Sequence, residues 1–230
     1  NTGNLLQYLD ELTKDVKGKK YGLVFEQHRE KIDEILATHT PVLTEQKDLF
    51  IDNGGEMNFL IEGDNLAALQ LLEKTHKGNI DLIYIDPPYN RGLNKKNDFV
   101  YDDTFVDVND TFRHSKWLSY IQKRLLLTHN LLSKTGVIFI SIDQVEVMQL
   151  SQLCNEIFGY ENLLGVITLV NNLKGRSDDA FFATCNEFML VYAKDASCAS
   201  IRTYEIDEEK IDNDYKYCDE KSYYKPTGFR

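Results

Sequence analysis

The sequence predicts an α/β fold: a doubly wound, mostly parallel sheet with helices on both faces, preceded by a helical N-terminal extension. Three observations lead there. Strand-like and helix-like segments alternate from Asn58 to Phe158. The strand-like segments, such as VIFISI, are continuous apolar runs, as expected of strands covered on both faces. The helix-like segments stop at turn formers, Gly78, Gly136 and Gly159.

Asn1 to Gly55 is charged and helix-prone, with Leu5, Leu6, Leu9 and Leu12 at helical spacing and Ile32, Ile35 and Leu36 likewise. Pro41 and the Asp52-Asn53-Gly54-Gly55 cluster punctuate its far end, so residues 1–55 are read as the extension. The alternation then runs as strand Asn58 to Glu62, helix Asn65 to Lys74, strand Ile80 to Ile85, a long polar loop, helix Phe112 to Leu132, strand Val137 to Ile142 and helix Gln144 to Phe158. Trp117, Leu118, Leu125, Leu126 and Leu132 fall at helical spacing and are expected in the core. Two further strands, Gly165 to Val170 and Glu187 to Ala193, are separated by NNLKGRSDDAFFATC, which has no clear helix, so this last pair is expected to be antiparallel. Beyond Lys194 the composition turns charged and tyrosine-rich. The domain reading is therefore 1–55, 56–194 and 195–230.

With 230 residues, 42% of them hydrophobic, the chain can build a sizeable core. No apolar run reaches the ~20 residues needed to span a bilayer, and the first residues lack a signal-peptide layout, so a cytoplasmic protein with no membrane partner is expected. The four cysteines are irregularly spaced, with no Cys-x-x-Cys pair, and read as reduced thiols. A net charge of −11 argues against a general polyanion binder, because nucleic-acid affinity leans on Lys and Arg neutralising phosphates. That objection weakens where basic residues bunch, as Arg91, Lys95 and Lys96 do.

The stretch IDLIYIDPPYN, Ile80 to Asn90, carries the chemistry. In an open α/β sheet ligands bind outside the carboxyl ends of the strands, where both Asp86 and Asp64 are expected. The Asp86 carboxylate is an acceptor, and the Pro87 carbonyl is a second one on a backbone whose φ is fixed by its ring. Two acceptors held together suit an NH₂ donor. The exocyclic amine of adenine is a poor nucleophile because its lone pair is delocalised; gripping both hydrogens favours a pyramidal nitrogen and frees that pair. Tyr89 supplies a flat face on which an unstacked base can lie, an interaction worth ~1 to 3 kcal/mol. A duplex base reaches such a face only by flipping out.

Asp-Pro-Pro-Tyr after an apolar strand resembles the catalytic motif of amino-group DNA methyltransferases. The longer string NFLIEGDNLAALQLLEKTHKGNIDLIYIDPPYN resembles the beta-class enzymes that serve as modification subunits of type III restriction systems. The likeness continues through FVYDDTF, HSKWLSYIQKRLLLTHNLLSKTGVIFISID, EIFGYEN and NEFMLVYAK, covering about Tyr21 to Lys194. It implies a Rossmann-like, S-adenosylmethionine-dependent fold in which Asp86, Pro87, Pro88 and Tyr89 form the catalytic motif and Tyr89 stacks on a flipped adenine. Asp at position 86 points to N6 of adenine rather than N4 of cytosine. By the same resemblance Asp64 accepts from the adenine amine of S-adenosylmethionine with Asn65 beside it, although capping of the following helix is an alternative for both. Asn90, Phe99, Tyr101 and Asp103 are candidates to line the base pocket, with packing anchors the alternative for the aromatics. Lys174 and Arg176 are candidate phosphate contacts. Double-stranded DNA, a helicase-nuclease restriction subunit and a second copy are the implied partners.

The likeness breaks in one place. Such enzymes use a Gly-x-Gly turn where the backbone approaches the methionine end of the cofactor, and no Gly-x-Gly occurs in this chain. In the permuted beta class the glycine-rich half comes last, after a target-recognition region whose beginning 195–230 resembles. The family sheet order, 3-2-1-4-5-7-6, then leaves a two-strand gap between Asn58–Glu62 as strand 3 and Ile80–Ile85 as strand 4. Two other functions compete: a metal-dependent nuclease using Asp64, Asp86, Asp102 and Asp103, and a non-catalytic scaffold docking a restriction subunit. If the missing strands carry the glycine-rich turn, the isolated 230 residues will bind cofactor weakly and transfer no methyl group; measurable turnover by the purified chain contradicts this.

Overall fold

The computed structural model describes residues 22–52, 54–91, 98–102, 104–171, 182, 184–201, 217, 218, 220, 223 and 224. Contacts divide the chain into two units, Asn1–Ala199 and Ser200–Arg230. In the first, α1 (Lys31–Thr38), a 3-10 turn (Lys47–Leu49) and α2 (Asn65–His76) precede β1 (Ile80–Ile85). A small hairpin, β2 (Val100–Tyr101) and β3 (Thr104–Phe105), leads to α3 (Arg113–Leu131), β4 (Leu132–Ile142), α4 (Val147–Phe158), β5 (Leu163–Val170) and β6 (Asn186–Ala193). The second unit contributes the short pair β7 (Tyr217–Cys218) and β8 (Tyr223–Tyr224), with the Tyr217 and Tyr224 rings stacked at 5.8 Å.

The sheet order is β1-β4-β6-β5. It corresponds to the second half of the order expected from the resemblance, 4-5-7-6. β1 and β4 run parallel through the α3 crossover, while β6 pairs antiparallel with both β4 and β5. The sheet is therefore mixed, with one parallel pairing among the described residues where a mostly parallel sheet was expected. The antiparallel end follows from the helix-free β5–β6 connection, which needs no crossover. Regular β1–β4 pairing begins at Leu82↔Val137 after an irregularity that follows Ile80↔Leu132. Gly136 sits at that irregularity because a Cβ there would meet the Ile80 carbonyl at 2.7 Å.

The strand expected over Asn58–Glu62 does not form. Phe59 and Leu60 are 78% and 98% exposed. A strand exists only where a neighbour takes its backbone bonds, and among the described residues β1 is paired on one side alone, to β4. The Leu82 and Tyr84 side chains, pointing away from the packed face of β1, are also exposed.

On that packed face Trp117, Leu118, Ile121 and Leu125 of α3 and Leu150, Leu153, Cys154 and Phe158 of α4 meet Ile138, Ile140, Ile142, Leu190 and Tyr192. Leu126 departs from its expected core position and is 48% exposed. Consecutive helical residues lie about 100° apart, and the buried stripe takes Leu125.

Among the described residues of the N-terminal extension, helix is confined to α1 and the 3-10 turn. Leu5, Leu6, Leu9 and Leu12 lie outside the described residues; residues 23–30 are not helical, and α1 is an eight-residue helix with no buried side chain. The segment is held by hydrogen bonds to α3 and α4: the Leu23 amide donates to Glu156 (2.8 Å) and the His28 amide to Ser119 Oγ (3.0 Å). Contacts group residues 22–52 in the same unit as the sheet. No helix among the described residues is long and apolar enough to cross a membrane.

Truncating the fully buried Leu125 or Leu153 to alanine will lower stability by about 2–5 kcal/mol in urea unfolding, whereas Leu126→Ala will cost less than about 1 kcal/mol.

Candidate active site

β1 ends at Ile85 and delivers Asp86, whose side chain is exposed, to the carboxyl edge of the sheet. Pro87 is buried and Pro88 half-buried. Neither has an N–H to donate, so the strand ladder cannot continue through them. Trp117, at the heart of the core, donates from Nε1 to the Pro88 carbonyl at 2.7 Å. The Pro87 carbonyl accepts no hydrogen bond among the described residues, which leaves it available beside Asp86.

The chain then turns sharply. Asn90 is fully buried with φ +56°, a left-handed conformation that Asn tolerates better than most residues. Its Nδ2 donates to Glu146 Oε1 at 2.6 Å, and the same oxygen meets His114 Nδ1 at 2.6 Å. On either side of Asn90, the amides of Tyr89 and Arg91 donate to the two oxygens of Asp98 at 3.0 and 2.9 Å. Arg91 in turn donates from Nε to Asp143 (2.7 Å) and from Nη2 to Glu187 (2.9 Å), and its guanidinium carbon lies 4.6 Å from the centre of the Tyr89 ring.

Asp143 follows β4 and Glu187 opens β6. Because those strands are antiparallel with Ile142 opposite Phe188, the two carboxylates are neighbours at the same sheet edge as Asp86. Burial, then the adjacent Asp86 and Glu187 carboxylates, pushes the Tyr89 phenol well above its ordinary range, so it stays protonated and donates to Glu187 Oε2 at 3.4 Å. Burial likewise raises Asp143, against the pull of the Val145 amide and Arg91, and raises Glu146, against the pull of Asn90 and His114.

Asp86, Pro87, Pro88, Tyr89 and Asn90 follow one another out of β1, and Asn90 is a buried turn residue. Asp64 does not follow a strand. It caps α2, its Oδ1 accepting from Leu66 (2.8 Å) and Ala67 (3.2 Å), while Oδ2 takes no bond among the described residues. Asn65 accepts from Arg124 Nε at 2.6 Å and donates to the Tyr120 hydroxyl at 3.4 Å, so its amide is held internally. Phe99 is wholly buried and Tyr101 only 9% exposed, with ring centres 6.1 Å apart, and both pack in the hydrophobic core. The Val106 amide, bonded to the Phe99 carbonyl at 3.0 Å, folds the β2–β3 hairpin over them. Asp103, Lys174, Arg176, Lys95 and Lys96 lie outside the described residues.

Among the described residues no group of three or more His, Cys, Asp or Glu side chains is placed to hold a metal ion. Asp102 is engaged by the Lys31 amide at 2.7 Å. The aspartate cluster that a nuclease would need is therefore not assembled from Asp64, Asp86 and Asp102.

A DNA methylase family model matches residues 80–228, from the first residue of β1 through the second unit. The chain belongs to the DNA methylase family. It is 35% identical over 187 residues to the EcoPI Mod subunit, a type III restriction-modification enzyme of Escherichia phage P1, with 71% of this chain and 28% of that protein covered. It is 41% identical over 134 residues to the type II methyltransferase M.KpnI of Klebsiella pneumoniae, covering 57% of this chain and 31% of the other. With the probable HindVI Mod subunit of Haemophilus influenzae it shares 38% identity over 140 residues, 60% of this chain and 17% of that one. The chain thus spans less than a third of the length of these members of the methylase family.

Asp98, Asp143, Glu146 and Glu187 were not singled out by the sequence, and Arg91 was noted only as a basic residue. Their one usable signal is position, since Asp143 and Glu187 flank strands whose antiparallel pairing makes them adjacent. Because the raised Glu146 pKa means that the fold disfavours the ionised form, its contribution to stability is greatest at acid pH and declines as pH rises from about 4.5 through the raised value. Wild type will therefore lose stability relative to Glu146→Gln over that interval in pH-dependent chemical unfolding, and a flat difference contradicts the sign.

Proposed function

We propose that this chain carries the catalytic-motif half of an S-adenosylmethionine-dependent DNA adenine-N6 methyltransferase, the modification component of a restriction system. One observation carries the reading: the exposed Asp86 carboxylate leaves the carboxyl end of β1 next to an unbonded Pro87 carbonyl and a fixed, half-buried Tyr89. Asp86 and Pro87 accept the two hydrogens of the target amine and leave its lone pair free, while the Tyr89 ring holds the flipped base. Asp86 is also the carboxylate placed to receive the proton that the nitrogen sheds once methylated.

Bound S-adenosylmethionine would supply a methyl group on a cationic sulfur. The free Oδ2 of Asp64 fits an adenine amine donor, and Asn65, held by Arg124, would shape the surface beside it. Residues beyond this chain would complete the site, in keeping with the 28% of the phage P1 protein that it matches and with the unpaired outer edge of β1. DNA grip from those residues would also offset the charge of −11. That the type III relatives are Mod subunits supports a restriction-subunit partner; a helicase-nuclease activity in that partner, a homodimer and a cytoplasmic location are further parts of the same proposal.

The test is transfer of labelled methyl from S-adenosylmethionine to unmethylated DNA by the full-length protein, with and without Mg²⁺, followed by identification of the modified base. Asp86→Ala will lower the rate by about 10²- to 10³-fold, and, since Asp86 is also a candidate cofactor contact beside Asp64 and Asn65, cofactor affinity is measured alongside. Mg²⁺-dependent cutting without cofactor supports the nuclease instead, and silence in both assays supports the scaffold.

A further inference from the structure

The structure assigns Arg91 as a positioning residue: its guanidinium backs one face of the Tyr89 ring and, through Glu187 and Asp143, sets the tilt at which the other face meets a flipped base. The inference rests on the reading of Tyr89 as the base platform and adds what holds that platform.

The contacts close a ring. Arg91 lies over the Tyr89 face, 4.6 Å from guanidinium carbon to ring centre. One carboxylate, Glu187, binds both partners, taking Arg91 Nη2 on Oε1 at 2.9 Å and the Tyr89 hydroxyl on Oε2 at 3.4 Å. The phenol edge and the cation on its face therefore cannot move independently. Asp143 anchors the third corner through Arg91 Nε at 2.7 Å. At the main chain, Asp98 ties the amides of residues 89 and 91 to a single carboxylate, so the two side chains leave a backbone of fixed geometry. This needs a planar fork with several donors; a lysine offers a point charge and cannot pack flat on a ring while binding two carboxylates.

Position after the catalytic motif suggests a different role for Arg91, a contact to DNA phosphate. The geometry opposes it. The Asp143 side chain is only 8% exposed and Glu187 17%, and drawing the guanidinium out to a phosphate would leave a buried and a half-buried carboxylate without this cation. The Arg91 side chain is itself 23% exposed.

The experiment uses the full-length enzyme on duplexes containing its own recognition sequence, read first from methylated product, with 2-aminopurine replacing the target adenine for the binding assays. Arg91→Lys, Arg91→Met, Glu187→Gln and Tyr89→Ala are compared, with melting temperature as a check on folding. For the two Arg91 variants single-turnover methyl transfer will fall about 10- to 100-fold, the loss expected of a misplaced reacting group. Cofactor affinity, DNA affinity and the salt dependence of DNA binding will stay within about two-fold, while the 2-aminopurine fluorescence change on binding is altered. Arg91→Met combined with Tyr89→Ala will be no slower than Tyr89→Ala alone, because the first acts only through the second.

Normal transfer by both Arg91 variants, or additive losses in the double variant, overturns the inference. So does a loss confined to DNA affinity with a shallower salt slope, the signature of a phosphate contact. If Tyr89→Ala leaves transfer and fluorescence unchanged, the platform reading itself falls; if Tyr89→Ala alone is defective, only the role of Arg91 falls.

Discussion

The organising constraint is that a buried apolar strand must hand its chain over to a polar, chemically useful turn without stranding backbone groups. β1 does so at Asp86, and, the Pro87 carbonyl apart, the turn beyond it is held by partners of opposite character. Trp117 serves the Pro88 carbonyl, Asp98 serves two amides, and buried Glu146 serves the amide side chain of Asn90. Carboxylates at such density would repel one another without donors among them. Arg91 and His114 supply those donors, and the turn is consequently held from the loop before β2, the end of β4, the start of α4 and the start of β6. Sheet and helices serve this turn by bringing four segments distant in sequence to one edge.

This explains what could be read in the sequence. β1 was legible to the residue because Ile80 to Ile85 is bounded by Asn79 and by an acid with two prolines. The core stripe of α3 was legible because burial there has the helical period. Phe99 and Tyr101 read ambiguously because an aromatic in a polar loop looks the same whether it faces a ligand or closes a core; the fold packs both into the core. Asn58–Glu62 has the composition of a strand, but pairing is a property of two segments, and its partner is not its neighbour in the sheet observed. The carboxylates around Arg91 were invisible for the same reason, since none is near another in the sequence until strand order and direction are known.

The apolar residues left in water tell a consistent story of an unfinished surface. Leu82 and Tyr84 on β1, and Met57, Phe59 and Leu60 ahead of α2, are more exposed than large apolar residues in a closed core would be. They lie on β1, the strand at one end of the sheet, or on the segment that forms no strand, while β4 and β6 are each paired on both sides.

Arg124 is bonded to Glu30 through Nη1 and Nη2 and to Asn65 through Nε, and it packs 3.6 Å above the Tyr120 ring. Its side chain is 7% exposed, so the charge could not be left alone at any of these contacts without a large desolvation penalty. Replacements at positions 30, 65 and 124 are therefore coupled through one buried guanidinium. A lineage that neutralised the glutamate would inherit a stranded cation beside α2, and its survivors would carry compensating replacements at the other two sites, a heritable signature of correlated drift spanning three stretches of chain that share no local sequence.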